Sequence, residues 1–263
     1  MSEARVNHDH RFGGIERLYG PGSLQRLQNA RVSVVGIGGV GSWVAEALAR
    51  SGIGAIDLVD LDDVCESNIN RQIHALDPTI GQAKTSAMAE RCRLVNPDCH
   101  IRERTFFYTA QTSETLFDEP LDYVMDAIDS VTHKCHLIDQ CKRRKIPTIV
   151  SGGAGGRIDP SRIEIADLSQ SYNDKLLQRV RKLLRTEYDF PKQEKRKFKI
   201  DCIFSPEDAR YPEVCATDKE PASRRLDCSS GYGAATHITG AFGFLAAARI
   251  VEHLSRGKGE HAS

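Results

Sequence analysis

Short apolar runs recur along the chain, separated by stretches in which apolar residues return at helical spacing. The runs are RVSVVGI from Arg31, AIDLVD ending at Asp60, LDYVMDAID and IPTIVS, and a further strand is expected over residues 99–104. Strands covered on both faces read as continuous apolar runs. An amphipathic stretch joins the first two. A further helix is predicted from about Gly81 to Leu94, with Ala83, Ala87, Met88 and Cys92 on one face, and Pro97 ends it. Another is predicted over 132–144, closing in KRRK, which suits the negative end of a helix dipole. Buried strands alternating with helices predict an α/β fold: a Rossmann-like, doubly wound, mainly parallel sheet with its ligand at the strands' carboxyl edge.

The flanks differ. Residues 1–10 are polar, and residues 11–30 predict one or two short helices with Leu18, Leu24 and Leu27 as apolar contacts. Beyond residue 157 we expect a short strand in RIEIADL, a basic helix from about Asn173 to Thr186 and a charged, irregular segment over 187–227. That segment holds one short strand near CIFS, and a final buried helix spans about 234–254. The expected division is an N-terminal helical arm (1–30), a nucleotide-binding core (31–155) and a C-terminal elaboration of the same domain (156–263) on the substrate side.

Charge and cysteine content narrow the classes. Lys+Arg and Asp+Glu are 36 each, so no global charge draws the chain to nucleic acid or membrane. Residues 175–199 nevertheless hold ten basic and three acidic residues, a local excess of seven. The eight cysteines form no C-x-x-C pair, which argues against a zinc ribbon. The polar N-terminus shows no signal peptide, so a cytoplasmic setting with free thiols is expected. Residues 228–248 lack Asp, Glu, Lys and Arg but are rich in small residues, and they read as a glycine-rich loop and a buried helix rather than a membrane span.

The candidate chemistry lies between Arg31 and Asp129. Gly36, Gly38 and Gly41 fit G-x-G-x-x-G, which brings backbone to a phosphate at a helix N-terminus, and Asp60 stands where a ribose-binding acid is expected. Taken alone, this pattern also suits a nicotinamide-dependent oxidoreductase. The next stretch, DLDDVCESNINRQIHALDPTIGQAK, adds groups that hydride transfer does not need: Asp62, Asn68, Arg71 and Lys84. With Asp129 at the tip of DAIDS they suit ATP with Mg²⁺, the cations neutralising phosphate charge and an Asp holding the metal. His74 reads as structural.

In order, the glycine turn, the D-x-D, the S-N-x-N-R-Q, the G-x-x-K and the late Asp resemble the adenylating superfamily. That superfamily includes ubiquitin-activating enzymes and the bacterial activators of molybdopterin and thiamin sulfur carriers. The resemblance covers roughly residues 11–155. Over its whole length the chain is most similar to the branch that acts on threonylcarbamoyladenosine in tRNA, through RFGGIERLYG, NRQIHAL, DAIDSV, GGAGGRIDP and DCSSGYGAAT. The resemblance implies ATP-dependent dehydration beside the anticodon. A carboxylate is adenylated, pyrophosphate leaves, and a neighbouring nucleophile closes a ring and expels AMP. The alternative it implies is activation of a ubiquitin-like sulfur carrier.

By motif position, Gly36, Gly38, Gly39, Gly41, Asp60, Asp62, Asn68, Arg71, Lys84 and Asp129 would bind the nucleotide. Arg71, Lys84 and Asp129 would act in catalysis, and Asp129 would hold Mg²⁺. In the superfamily an N-terminal R-[FY]-x-R motif sends its second Arg into the partner's site of a homodimer. Here that position is Gly14, so Arg17 one turn on, or Arg11, is the candidate. Cys228 is a candidate sulfur acceptor should a cysteine desulfurase partner the protein, set against a plain structural thiol there and at Cys202 and Cys215. The basic stretch 175–199 is the candidate contact for tRNA phosphates.

Overall fold

The computed structural model describes residues 8–193, 196–211 and 232–256. Cys215, Cys228 and Lys195 lie outside them. Helices α1 (His8–Tyr19) and α2 (Ser23–Gln28) form the arm. The first half of the sheet follows as β1 (Arg31–Val35), α3 (Gly41–Arg50), β2 (Ala55–Val59), α4 (Lys84–Val95) and β3 (His100–Arg104). The second comprises α5 (Ser113–Leu116), β4 (Tyr123–Asp126), α6 (Val131–Arg144), β5 (Thr148–Ser151), β6 (Glu164–Asp167), α7 (Lys175–Glu187), β7 (Asp201–Phe204) and α8 (Thr236–Ser255).

The seven strands lie in the order β3-β2-β1-β4-β5-β7-β6. All pairs are parallel except β6 with β7. The chain winds outward from β1 in one direction through β2 and β3, and from β4 in the other. The switch point between β1 and β4 opens a crevice at the carboxyl edge. Val32, Val34, Ile56, Leu58 and Met125 are buried with Val44 and Leu48 of α3 and with Ile238, Phe242 and Ile250 of α8 in one core. A second core sets α7, through Leu177, Val180 and Leu184, against Cys135 and Ile138 of α6.

Two expectations are corrected. The helix expected from Gly81 starts at Lys84, because Gly81 has φ +84° and Ala83 is an extended cap. The strand at CIFS is not an appendage to an irregular segment. It is an inner strand, pairing with β5 on one side and β6 on the other. Among the described residues no helix is long and apolar enough to cross a membrane.

Candidate nucleotide site

Three loops converge at the crevice. The first leaves β1. Gly36 has φ +93°, and a Cβ there would meet the Ala127 carbonyl oxygen at 2.9 Å, so the loops after β1 and β4 touch. A Cβ on Gly41 would collide with the Gly36 carbonyl oxygen. These two glycines are therefore needed to make the turn. Gly38 differs, since its Cβ would meet nothing within 4 Å. It faces the open crevice, ahead of the α3 N-terminus, which no side chain caps. Uncapped N–H groups at a helix N-terminus are an anion site in waiting. Gly39 packs on Thr239 of α8.

Asp60 follows β2 directly and is fixed twice: Oδ2 accepts the Ile37 N–H at 2.7 Å and Oδ1 the Asp62 N–H at 2.9 Å. Burial raises its pKa, opposed first by the charge of Lys84. It thus ties the glycine turn to the loop after β2. Lys84 is buried, and its Nζ lies 2.7 Å from Asp62 Oδ2. Asp62, expected to meet the nucleotide, is paired with this lysine and keeps an exposed side chain.

Asn68 is buried, and its amide oxygen accepts the Cys65 N–H at 3.1 Å, leaving the NH₂ as the group that can face a ligand. The Arg71 carbonyl accepts from Trp43 Nε1 at 3.0 Å and Thr239 Oγ1 at 3.1 Å, so α3 and α8 together position this arginine. Its Cδ approaches the Cβ position of Gly39.

Asp129 follows β4. No hydrogen bond or ion pair from the described residues reaches its carboxylate. The crowded walls of the crevice raise its pKa even though the side chain is solvent-accessible, and Lys134, Arg71 and Lys84 oppose that shift in this order. Arg71, Lys84 and Asp129 therefore share one electrostatic site. A lone carboxylate without protein partners fits a metal held mainly by water and substrate phosphates, as Mg²⁺ usually is. No cluster of three metal-ligating side chains occurs among the described residues.

Arg17 is not brought into this site within the chain. Its guanidinium folds over Gly13 and Gly14, in a groove with Leu24, Gln25 and Gln28 at the amino edge of the sheet. Arg11 instead donates to the Val95 carbonyl, at the far end of α4 from Lys84. Cys202 is buried and its thiol is pushed up to about 12 by desolvation, as a structural thiol. Cys65, within the crossover loop, is exposed.

Sequence reasoning missed a fully buried ion pair beneath the crevice. Lys134 Nζ lies 2.8 Å from Asp126 Oδ1, which also accepts the Ile128 N–H at 2.9 Å. Burial raises the Asp126 pKa against the pull of Lys134. The available signal was a lysine in the apolar stripe of α6, three, four and seven residues before Leu137, Ile138 and Cys141.

The fold and crevice define an α/β protein whose switch-point site suits a phosphorylated nucleotide. The chain belongs to the ThiF family, whose model matches residues 14–262. It is 49% identical over 256 residues to the tRNA threonylcarbamoyladenosine dehydratase of Haemophilus influenzae, covering 97% of each chain. It superposes on the Escherichia coli tRNA N6-threonylcarbamoyladenosine dehydratase crystallised with ATP with TM-score 0.84 and 45% identity, covering 94% of each chain. The AMP complex of that E. coli enzyme matches equally well.

Proposed function

We propose that this protein dehydrates threonylcarbamoyladenosine next to the anticodon of tRNA, using ATP. The free carboxylate of the modification is a poor electrophile. Its attack on the α-phosphate gives an acyl-adenylate and releases pyrophosphate. A nucleophile of the same modification then closes a ring onto the acyl carbon and expels AMP, so the net change is loss of water. Holding both reacting groups in one site removes the entropy of a second encounter. What supports this reading is that Arg71 and Lys84 act electrostatically on Asp129, next to a glycine turn left open at Gly38. The cations face developing phosphate charge, Asp60 takes the ribose, and Asn68 offers its NH₂. Mg²⁺, held by Asp129, would supply further charge neutralisation when bound.

Similarity over nearly the whole length of the dehydratases favours this over activation of a sulfur carrier. Mass spectrometry of nucleosides from modified tRNA incubated with ATP should show loss of one water, with pyrophosphate release dependent on that tRNA. Pyrophosphate exchange that instead requires a small protein ending in Gly-Gly would overturn the reading.

The active species is a homodimer in this proposal, with Arg17 of one subunit completing the other's site. The exposed Phe244, against Trp43, and the exposed Leu18 offer apolar surface for such a contact. Mixing inactive Arg17→Ala with inactive Asp129→Ala should restore activity through one intact hybrid site. No recovery after confirmed subunit exchange would remove Arg17 from that role.

A further inference from the structure

Beside the nucleotide site, the carboxyl edge of the sheet carries an aromatic and cationic cluster that ATP chemistry does not use. Tyr211 and Tyr232 lie with ring centroids 5.0 Å apart, tilted by 49°. Both are open to solvent, at 58% and 41% exposure. Tyr232 Oη donates to Tyr211 Oη at 3.1 Å, and Lys175 Nζ donates to the same oxygen while lying 4.9 Å from the Tyr211 ring centre. Large exposed rings held in pairs beside a cation are costly to leave in water without a purpose.

The scaffold beneath is specifically built. Asp174 caps α7 through the Leu177 N–H at 2.8 Å and accepts the Gly153 N–H at 2.9 Å, so Lys175 is fixed to the turn after β5. A Cβ on Gly155 or Gly156 would press into Tyr232 at 3.0 and 3.1 Å. Arg157 is 6% exposed, and its Nε and Nη1 find no partner among the described residues. Its charge acts on Lys175, Tyr211 and Tyr232. Its one hydrogen bond runs from Nη2 to the Asn173 carbonyl at 3.3 Å, so a buried guanidinium with no carboxylate beside it among the described residues makes the surface above it attractive to anions.

Position identifies the occupant. Asn70 Nδ2 donates to the Ala234 carbonyl at 2.8 Å, joining the segment after Tyr232 to the residue before Arg71. Two residues span at most about 7 Å, comparable to the step between neighbouring nucleotides. From Lys175 the exposed cations Arg179 and Lys182 continue along α7, a run of about 10 Å. Aromatic rings followed by a track of cations are how proteins hold unpaired RNA, with bases stacked and phosphates neutralised.

From this juxtaposition, and resting on the tRNA reading above, we infer that Tyr211 and Tyr232 form a stacking platform for an unpaired anticodon-loop base flanking the reacting adenosine, with Lys175 and Arg157 attracting the adjoining phosphate. The platform positions RNA and takes no part in adenylation.

The test uses the full-length protein and two probes: an anticodon stem-loop bearing threonylcarbamoyladenosine, and a single-stranded oligonucleotide carrying 2-aminopurine. Tyr211→Ala and Tyr232→Ala should each weaken stem-loop binding and raise its KM about 10-fold or more, as loss of a stacked base does elsewhere. ATP affinity and kcat at saturating RNA should hold. Tyr→Phe at either position should stay near wild type, and 2-aminopurine quenching should vanish only in the Ala variants. Wild-type RNA affinity and quenching in both Ala variants would overturn the platform. So would equal losses in Phe and Ala variants, which would assign the effect to the hydroxyl–lysine contacts. If wild-type protein releases no pyrophosphate with the stem-loop, the dehydratase reading fails, while the quenching comparison still decides whether the rings stack a base.

Discussion

The two halves of the carboxyl edge are built differently. On the β1–β2–β4 side, functional groups are partly buried and locked by short bonds: Asp60 to two backbone N–H groups, Lys84 to Asp62, the Arg71 backbone to Trp43 and Thr239. On the β5–β7 side, Lys175, Arg179, Lys182 and the tyrosine pair stand on the surface above a fixed frame, and the bonds among Lys175 and the tyrosines are exposed to solvent. On the proposed function, the difference follows from the tasks. Charge developing on a transferring phosphorus rewards donors already aimed before the reaction, because reorganisation then costs nothing. A large RNA loop supplies many contacts, each of which can adjust, so its recognition tolerates mobile side chains.

Breaking the rigid half at its foundation should have the largest effect. Lys134→Met leaves Asp126 buried and unpaired, which costs about 3–5 kcal/mol for comparable pairs. Chemical denaturation should show that loss, and Asp126→Asn with Lys134→Met should recover most of it. A single Lys134→Met variant as stable as wild type would mean the pair does not hold the β4 loop.

Next in size are the site cations. Arg71→Ala and Lys84→Ala should each slow pyrophosphate release by about 10²–10³, the usual loss for one preorganised donor. Unfolding curves should stay near wild type, apart from the exposed Asp62 left behind by Lys84→Ala. Full activity in both would remove their phosphate roles.

The same half contains an acid-sensitive group. His74 is buried, and both ring nitrogens lack partners among the described residues. Burial, then the charges of Lys84 and Arg91, lower its pKa to about 4. The unfolded chain, titrating near 6.5, therefore binds more protons between pH 4 and 6.5. Stability rises with pH across that window and falls on acidification, by about 3 kcal/mol in all for this one residue. His74→Met should flatten the stability difference between pH 6.5 and 4 by that order, measured as the change in denaturation midpoint. Unchanged pH dependence would mean that His74 gains a partner in solution.

Much of the rigid half was legible in the sequence because its demands are local. G-x-G-x-x-G reports a turn that Gly36 and Gly41 make possible, and Asp60 and Asp129 sit at strand ends whose apolar runs announce them. What was not legible depends on distant pairings. Asp62 was read only as a nucleotide contact, and its pairing with Lys84, 22 residues away, was not foreseen. Thr239 reaches Arg71 across 168 positions, and no local pattern marks it. The Lys134–Asp126 pair was visible only as an anomaly in a stripe. On the other half, charge counting found α7 but could not tell which cations are spent internally.

That distinction gives the smallest and sharpest prediction. Arg185 lies with its guanidinium carbon 5.2 Å from the Phe198 ring centre and donates to the Pro191 carbonyl at 3.3 Å, and Arg181 donates to Ser171. Arg179 and Lys182 are exposed on the groove face of the same helix. If α7 tracks RNA phosphates, Arg179→Gln with Lys182→Gln should lower the slope of log affinity against log salt by roughly one per contact, two in all. ATP affinity should not move, because the proposed nucleotide site lies in the rigid half. Arg185→Gln should leave the salt slope nearly unchanged and cost stability instead, through its lost ring contact. The reverse pattern, with Arg185 governing the slope and the exposed pair silent, would show that RNA binding reorganises α7 and that this half is less fixed beneath its surface than Asp174 makes it.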